Sequence, residues 1–176
     1  MASLRGQGLS AELPPGFEGR VFRRSAADGA ATYPVMHFAS FPISAATADF
    51  GGGVPATMGP TDIFAVLFQY GPESLGQALF ARVGMPRTLS PDHFKPYLLR
   101  RGAPGQSGTQ WFFTENGKPF TFYAVLGSHA LRASLVPKVN RLLSGITISP
   151  PSPPSPGAGT NPISVPTAPT STVGGA

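Results

Sequence analysis

From Thr109 to Gly127 the chain alternates with a period of two, TQWFFTENGKPFTFYAVLG, and Asn116-Gly117 lies between the two aromatic runs. Asn-Gly in that setting is the strongest short signal for a two-residue type I′ hairpin, because both central residues need positive φ. Such a turn fixes the register: Glu115 opposite Lys118, Phe113 opposite Phe120, Trp111 opposite Phe122, Thr109 opposite Ala124. Alternation then places Trp111, Phe113, Phe120 and Phe122 on one face. Gln110, Phe112, Thr114, Thr121 and Tyr123 share the other. Pro119 is tolerated because its missing N–H would point away from the hairpin partner, and pairing on its outer side should stop there.

The same reading extends upstream. Tyr33 to Ile43 alternates, with Val35, Ala39 and Phe41 opposed to Met36, Phe38 and Ser40. Asp62 to Tyr70 is apolar on both faces, which suits a central strand covered on both sides. Phe94 to Arg101 reads as an edge strand, given Pro96, and Gly19 to Arg24 as a weaker one. Glu73 to Val83 has helical spacing at Leu75, Leu79 and Val83, stopped by Gly84 and Pro86. A second helix is expected over Ser134–Ser144, with Leu135, Val139 and Leu142 in one stripe. Ser134 would cap it, Pro137 would fall in its first turn, and Gly145 would supply a left-handed stop. These elements predict an α+β fold: an antiparallel β-sheet layered with helices, plus a disordered Pro-rich C-terminal tail.

Composition sets the boundaries. The chain has 176 residues, of which 22 are glycine and 21 proline. From residue 149 onward it holds no aromatic and no charged residue, too little to offset the entropy of ordering. The expected division is a flexible N-terminus (1–12), an α+β globular domain (13–148) and a disordered Pro/Ser/Thr/Gly-rich tail (149–176). The N-terminus lacks an apolar core of signal-peptide length, and no run reaches membrane-spanning length. A cytoplasmic location with no transmembrane segment is expected as written, or the cell envelope if the true start lies upstream. Zero cysteines exclude disulfides, thiolate metal sites and cysteine nucleophiles.

A net charge of +5 and a pI near 10.1 raise nucleic acid as a partner. The arginines are scattered, however, and no basic stripe or nucleic-acid motif is present, so nucleic acid is disfavoured.

The order HFASFPI, GPTDIFAVLFQYG, FFTENGKPFTFYAVLG, LVPKVNRLLSGITI resembles a group of small uncharacterised actinobacterial domains. It is also similar to the PsbP-like α/β/α sandwich. The resemblance covers roughly 13–148 and rests on structural motifs, a glycine turn and a helix stop. It implies a non-catalytic partner of a larger assembly and carries over no catalytic residue.

Chemistry is sparse. His37, His93 and His129 are far apart, without a second ligand at metal-site spacing, so no metal is expected. GPESLG and GQSGTQ lack the strand–serine–helix elbow of a serine hydrolase. The glycines at 51–53 have neither a P-loop lysine nor a dinucleotide fingerprint. No cofactor and no catalytic residue is assigned. The leading expectation is a non-catalytic binding or accessory domain that docks onto a protein partner. Phe112 and Tyr123 would be its aromatic anchors, with Arg100 and Arg101 at the rim. The alternative is a small-ligand-binding protein or hydrolase with a pocket between the sheet and loop 44–61. It would require convergence among His37, His93, Asp49, Asp62, Asp92 and Ser107.

Overall fold

The computed structural model of the chain describes residues 2–23, 31–44, 47, 51–96, 98 and 103–150. The expectation of a disordered tail therefore lies outside the described residues except at Ser149 and Pro150.

Two antiparallel sheets and two helices make up the described fold. The larger sheet contains β3 (Glu18–Arg23), β4 (Pro34–Ala39), β5 (Ile63–Gln69), β6 (Ser107–Glu115) and β7 (Lys118–Leu126). Its spatial order is β3-β4-β5-β7-β6. The hairpin of β6 and β7 has the register that Asn116-Gly117 dictates, from Glu115↔Lys118 through Thr109↔Ala124. Both turn residues take positive φ, 51° and 70°. Pairing of β5 with β7 ends at Gln69↔Phe120. One residue on, Pro119 has no donor to offer, and its carbonyl instead accepts from the Tyr70 amide at 2.8 Å.

Helix α2 (Arg132–Gly145) covers one face of this sheet. Its Leu135, Val136, Val139, Leu142 and Leu143 join Met36, Phe38, Ile63, Leu67, Phe113, Phe120 and Phe122 in one buried cluster. The helix starts earlier than its stripe suggests. Leu131 is the N-cap, and the Ser134 hydroxyl donates to the Leu131 carbonyl at 2.9 Å instead of capping. Pro137 consequently lies inside the helix, on its exposed side. Ala133, whose carbonyl loses its helical donor, is an exposed residue as well, so water can take the donor's place.

Gly145 is not a left-handed stop either. It stays in the helix, and a Cβ there would collide with the Glu12 carbonyl oxygen. The chain then runs straight into β8 (Ile146–Ile148).

Close approach at Gly145 is needed because residues 2–13 form a hairpin, although residues 1–12 were expected as a flexible N-terminus. Strands β1 (Ala2–Gly6) and β2 (Leu9–Leu13) pair with each other, and β2 pairs with β8. This three-stranded sheet buries Leu9, Ala11, Leu13, Ile146 and Ile148 against the same cluster as α2.

The opposite face of the large sheet carries Val35, Ala39, Phe64, Val66, Phe68, Tyr123 and Val125. Among the described residues no long helix covers it; Phe41, Ile43, Val54 and Met58 do, from a connection containing the single-turn helix α1 (Val54–Thr57). Apolar residues on both faces of β5 thus have the cover their pattern demands.

Two predicted elements are different in the fold. Residues 73–83 form 3-10 turns at Pro72–Ser74 and Ala78–Phe80 instead of an α-helix. Gly76 has φ +80° between them, which ends helical continuity. Of 94–101, the described residues 94–96 and 98 contribute only a bridge, Lys95↔Gly108. Among the described residues, no helix is long and apolar enough to cross a membrane.

Candidate docking edge on the five-stranded sheet

The type I′ turn decides which backbone groups of β6 face outward. Glu115 and Lys118 close the turn, so residues 115, 113, 111, 109 and 107 bond to β7. Thr114, Phe112, Gln110 and Gly108 therefore direct their N–H and C=O groups to the free side.

Two short segments cover the ends of that free side. The Thr114 amide donates to the Arg82 carbonyl at 2.8 Å, and the Gly84 amide donates to the Thr114 carbonyl at 2.9 Å. Lys95 and Gly108 exchange both bonds, at 2.9 and 3.0 Å. Glu115 holds the first segment in place by accepting from the Met85 amide at 2.7 Å, and so acts as a cap instead of an ion-pair partner of Lys118.

Gln110 and Phe112 lie between the two bridges. Among the described residues, nothing bonds to their outward amides and carbonyls. Gln110 is exposed, and Trp111 and Phe112 are half-buried.

The side chains around this gap combine aromatic and aliphatic surface with the charges of Arg82, Asp92 and Lys95. Phe112 packs edge-on against Phe80, with ring centroids 5.6 Å apart, and lies tilted beside Tyr70. On the other face Trp111 lies beneath the Arg82 guanidinium, 4.8 Å from the ring centroid, and beside His93 at 5.1 Å. Trp111, His93, Lys95 and Leu98 line a shallow cleft of about 220 Å³ along the edge. Val83 is 86% exposed and Leu79 55%, although their helical spacing with Leu75 marked them for a core. An exposed apolar fringe around unpaired backbone is the surface that an extended segment can join.

The sequence-predicted site divides. Phe112 is at this edge and partly accessible. Tyr123 is not: it is 5% exposed, packed against Phe64 on the loop-covered face, and burial raises its phenol pKa well above the usual value. It cannot serve as a surface anchor. Period two put Phe112 and Tyr123 on one face, but β7 lies between β5 and β6 while β6 is the edge. Arg100 and Arg101 lie outside the described residues. Sequence reasoning missed Gln110, Leu79, Val83 and Leu98.

The residues proposed for catalysis have separate structural employment. His37 is fully buried in β4, with its Nδ1 3.4 Å from an Arg20 guanidinium nitrogen. Asp62 accepts from the Gly59 amide at 2.7 Å. His93 accepts from the Ser90 amide at 3.1 Å, while the Ser90 hydroxyl accepts from the Asp92 amide, a reciprocal cap on the 3-10 turn Pro91–His93. Ser107 is buried at the start of β6 rather than in a loop. Asp49 lies outside the described residues. Among the described residues, no cluster of three His, Asp or Glu side chains could hold a metal.

A concavity does occur where the alternative reading needs one. A cleft of about 420 Å³ is lined by residues of 41–57, chiefly Phe41, Ile43, Val54 and the glycines at 51–53. Only the hydroxyls of Ser44, Thr47 and Thr57 add side-chain polarity among its described lining residues.

No known protein family, curated protein or solved structure matches this chain.

Proposed function

We propose that this protein is a non-catalytic docking domain that engages a protein partner by strand addition at β6. The observation that carries the reading is the backbone of Gln110 and Phe112, unpaired among the described residues and flanked by exposed Val83, Leu79 and Leu98. Strand addition draws affinity from main-chain hydrogen bonds and specificity from neighbouring side-chain pockets. Here the pockets are the Phe112 margin on one face and the Trp111–Leu98 cleft on the other. The catalytic alternative has less support, because the polar residues it needs are engaged in caps and core packing.

Affinity capture with the full chain tests the reading, run beside Gln110→Pro and Val54→Ala chains. Proline at 110 removes an outward donor without touching the β7 ladder, so the fold should survive and strand addition should not. The expected result is a stoichiometric partner lost from Gln110→Pro and kept by Val54→Ala. A partner kept by Gln110→Pro and lost by Val54→Ala would move function to the 41–57 cleft.

A further inference from the structure

We infer that the cleft between α2 and the turn joining β2 to β3 binds a small zwitterion, a molecule with a phosphate or carboxylate at one end and an ammonium group at the other. The cleft is a second site, apart from the β6 edge, and does not rest on the docking role proposed there. Its volume is about 360 Å³, within the roughly 300–1,000 Å³ of small-molecule sites. The described residues that line it do not adjoin undescribed ones in the chain.

One wall is cationic. Lys138 and Arg141 stand three residues apart on α2, and so are neighbours on one face of the helix. The helix has no acidic residue, and Glu12 and Glu18, the carboxylates of β2 and β3, do not line the cleft. Among the described residues, no carboxylate pairs with either head group. Like charges at this spacing repel, and an anion seated between them would relieve that repulsion.

A second wall is anionic and fixed in place. Asp62 immediately precedes β5, where its Oδ2 accepts from the Gly59 amide at 2.7 Å and its carbonyl accepts from the Gly127 amide at 2.8 Å. Its Oδ1 accepts no hydrogen bond among the described residues. No ion pair joins Asp62 to Lys138 or Arg141, although all three line the same cleft. The site therefore holds opposite charges apart instead of neutralising them.

The surface between the charges is apolar and stiff. Pro14 to Phe17 form a turn closed by the Phe17 amide, which donates to the Pro14 carbonyl at 3.1 Å. Pro15 in its second position and Gly16 at φ +80° in its third meet the demands of a type II turn. Phe17 is buried beneath it, so the proline rings are held in position before a ligand arrives. At the end of β4, the Ser40 hydroxyl oxygen accepts from the Ile63 amide at 2.9 Å, which leaves its proton to donate into the cleft.

These groups define the ligand's chemistry. A simple anion would meet the Asp62 carboxylate with nothing to offer it, and a simple cation would meet two like charges. A zwitterion with a short apolar body satisfies both walls and lies against Pro15.

NMR titration of the full chain with phosphoethanolamine and with 4-aminobutyrate tests the assignment, beside inorganic phosphate and ethylamine as one-ended probes. The Phe17, Thr61 and Asp62 amide signals should shift saturably with a two-ended probe, and the tighter of the two identifies the anionic group as phosphate or carboxylate. Affinity should fall about tenfold in Lys138→Gln/Arg141→Gln and about threefold in Asp62→Asn, whose side-chain carbonyl can still accept from Gly59. No saturable shift at those amides would overturn the assignment, as would affinities unchanged in both variants. Inorganic phosphate binding as tightly as phosphoethanolamine, with no loss in Asp62→Asn, would overturn it in favour of a plain anion site. None of these results touches the docking reading, which fails separately if Gln110→Pro retains its captured partner.

Discussion

The two edges of the five-stranded sheet are guarded by different means. β3 carries Glu18, Arg20 and Arg23 within six residues, and β1 packs against it, with Leu4 beside Gly19 and Gly6 beside Val21. Charge and a covering strand are the usual protections against unwanted pairing. β6 has no charge from Ser107 to Thr114, and among the described residues its cover is two short bridges that leave Gln110–Phe112 between them. Arg82 and Lys95 flank this stretch, but the strand itself presents Trp111 and Phe112 beside exposed Val83 and Leu98, a surface that would invite aggregation if it had no use. The contrast is the main reason to place function at β6.

The comparison breaks most readily within β6 itself. Phe113 is fully buried and stacked on Phe120, with ring centroids 5.7 Å apart, so Phe113→Ala should cost about 3–5 kcal/mol. Phe112→Ala, at the half-buried margin, should cost only about 1–2 kcal/mol. Urea unfolding of the two variants checks this, and equal losses would mean that the edge belongs to the core.

Proline substitution separates the two sides of the strand. Thr109 donates to the β7 ladder, so Thr109→Pro should destabilise by about 3 kcal/mol or more. Gln110→Pro should stay within about 1 kcal/mol of the natural chain, because its amide points outward. Similar unfolding midpoints for the two variants would contradict the assigned bonding pattern.

A smaller effect concerns Tyr123, which shares a face with Phe112 but not its accessibility. Burial raises its phenol pKa above the ordinary 10.0, so above pH 10 the unfolded chain ionises first and the folded state loses stability. Between pH 10 and 11 that loss should reach roughly 1 kcal/mol, and Tyr123→Phe should be spared it. Identical pH dependence in the two chains would show Tyr123 to be solvated.

Much of this fold is legible where local chemistry dictates geometry. Asn116-Gly117 fixes a register of nine pairs, and the two-sided apolar run of β5 announces a central strand. The β1–β2 hairpin is harder to read. Its buried face is only Leu9, Ala11 and Leu13, and its turn is Gln7-Gly8 with φ of 57° and 78°, a weaker signal than Asn-Gly. Leu75, Leu79 and Val83 show the reverse error, since helical spacing there is coincidental and Gly76 breaks the run. The site was half visible for a topological reason. Period two gives the face of Phe112 and Tyr123, but only tertiary pairing decides which strand of the hairpin joins β5 and which becomes the edge.

The most direct measurement of the central claim is residue-resolved amide exchange along β6 in the full chain. The account predicts alternation within one strand: Thr109, Trp111 and Phe113 protected at least about a hundredfold more than Gln110 and Phe112. Uniform protection from Thr109 to Phe113 at all protein concentrations would mean that the edge is already closed, and the docking role with it.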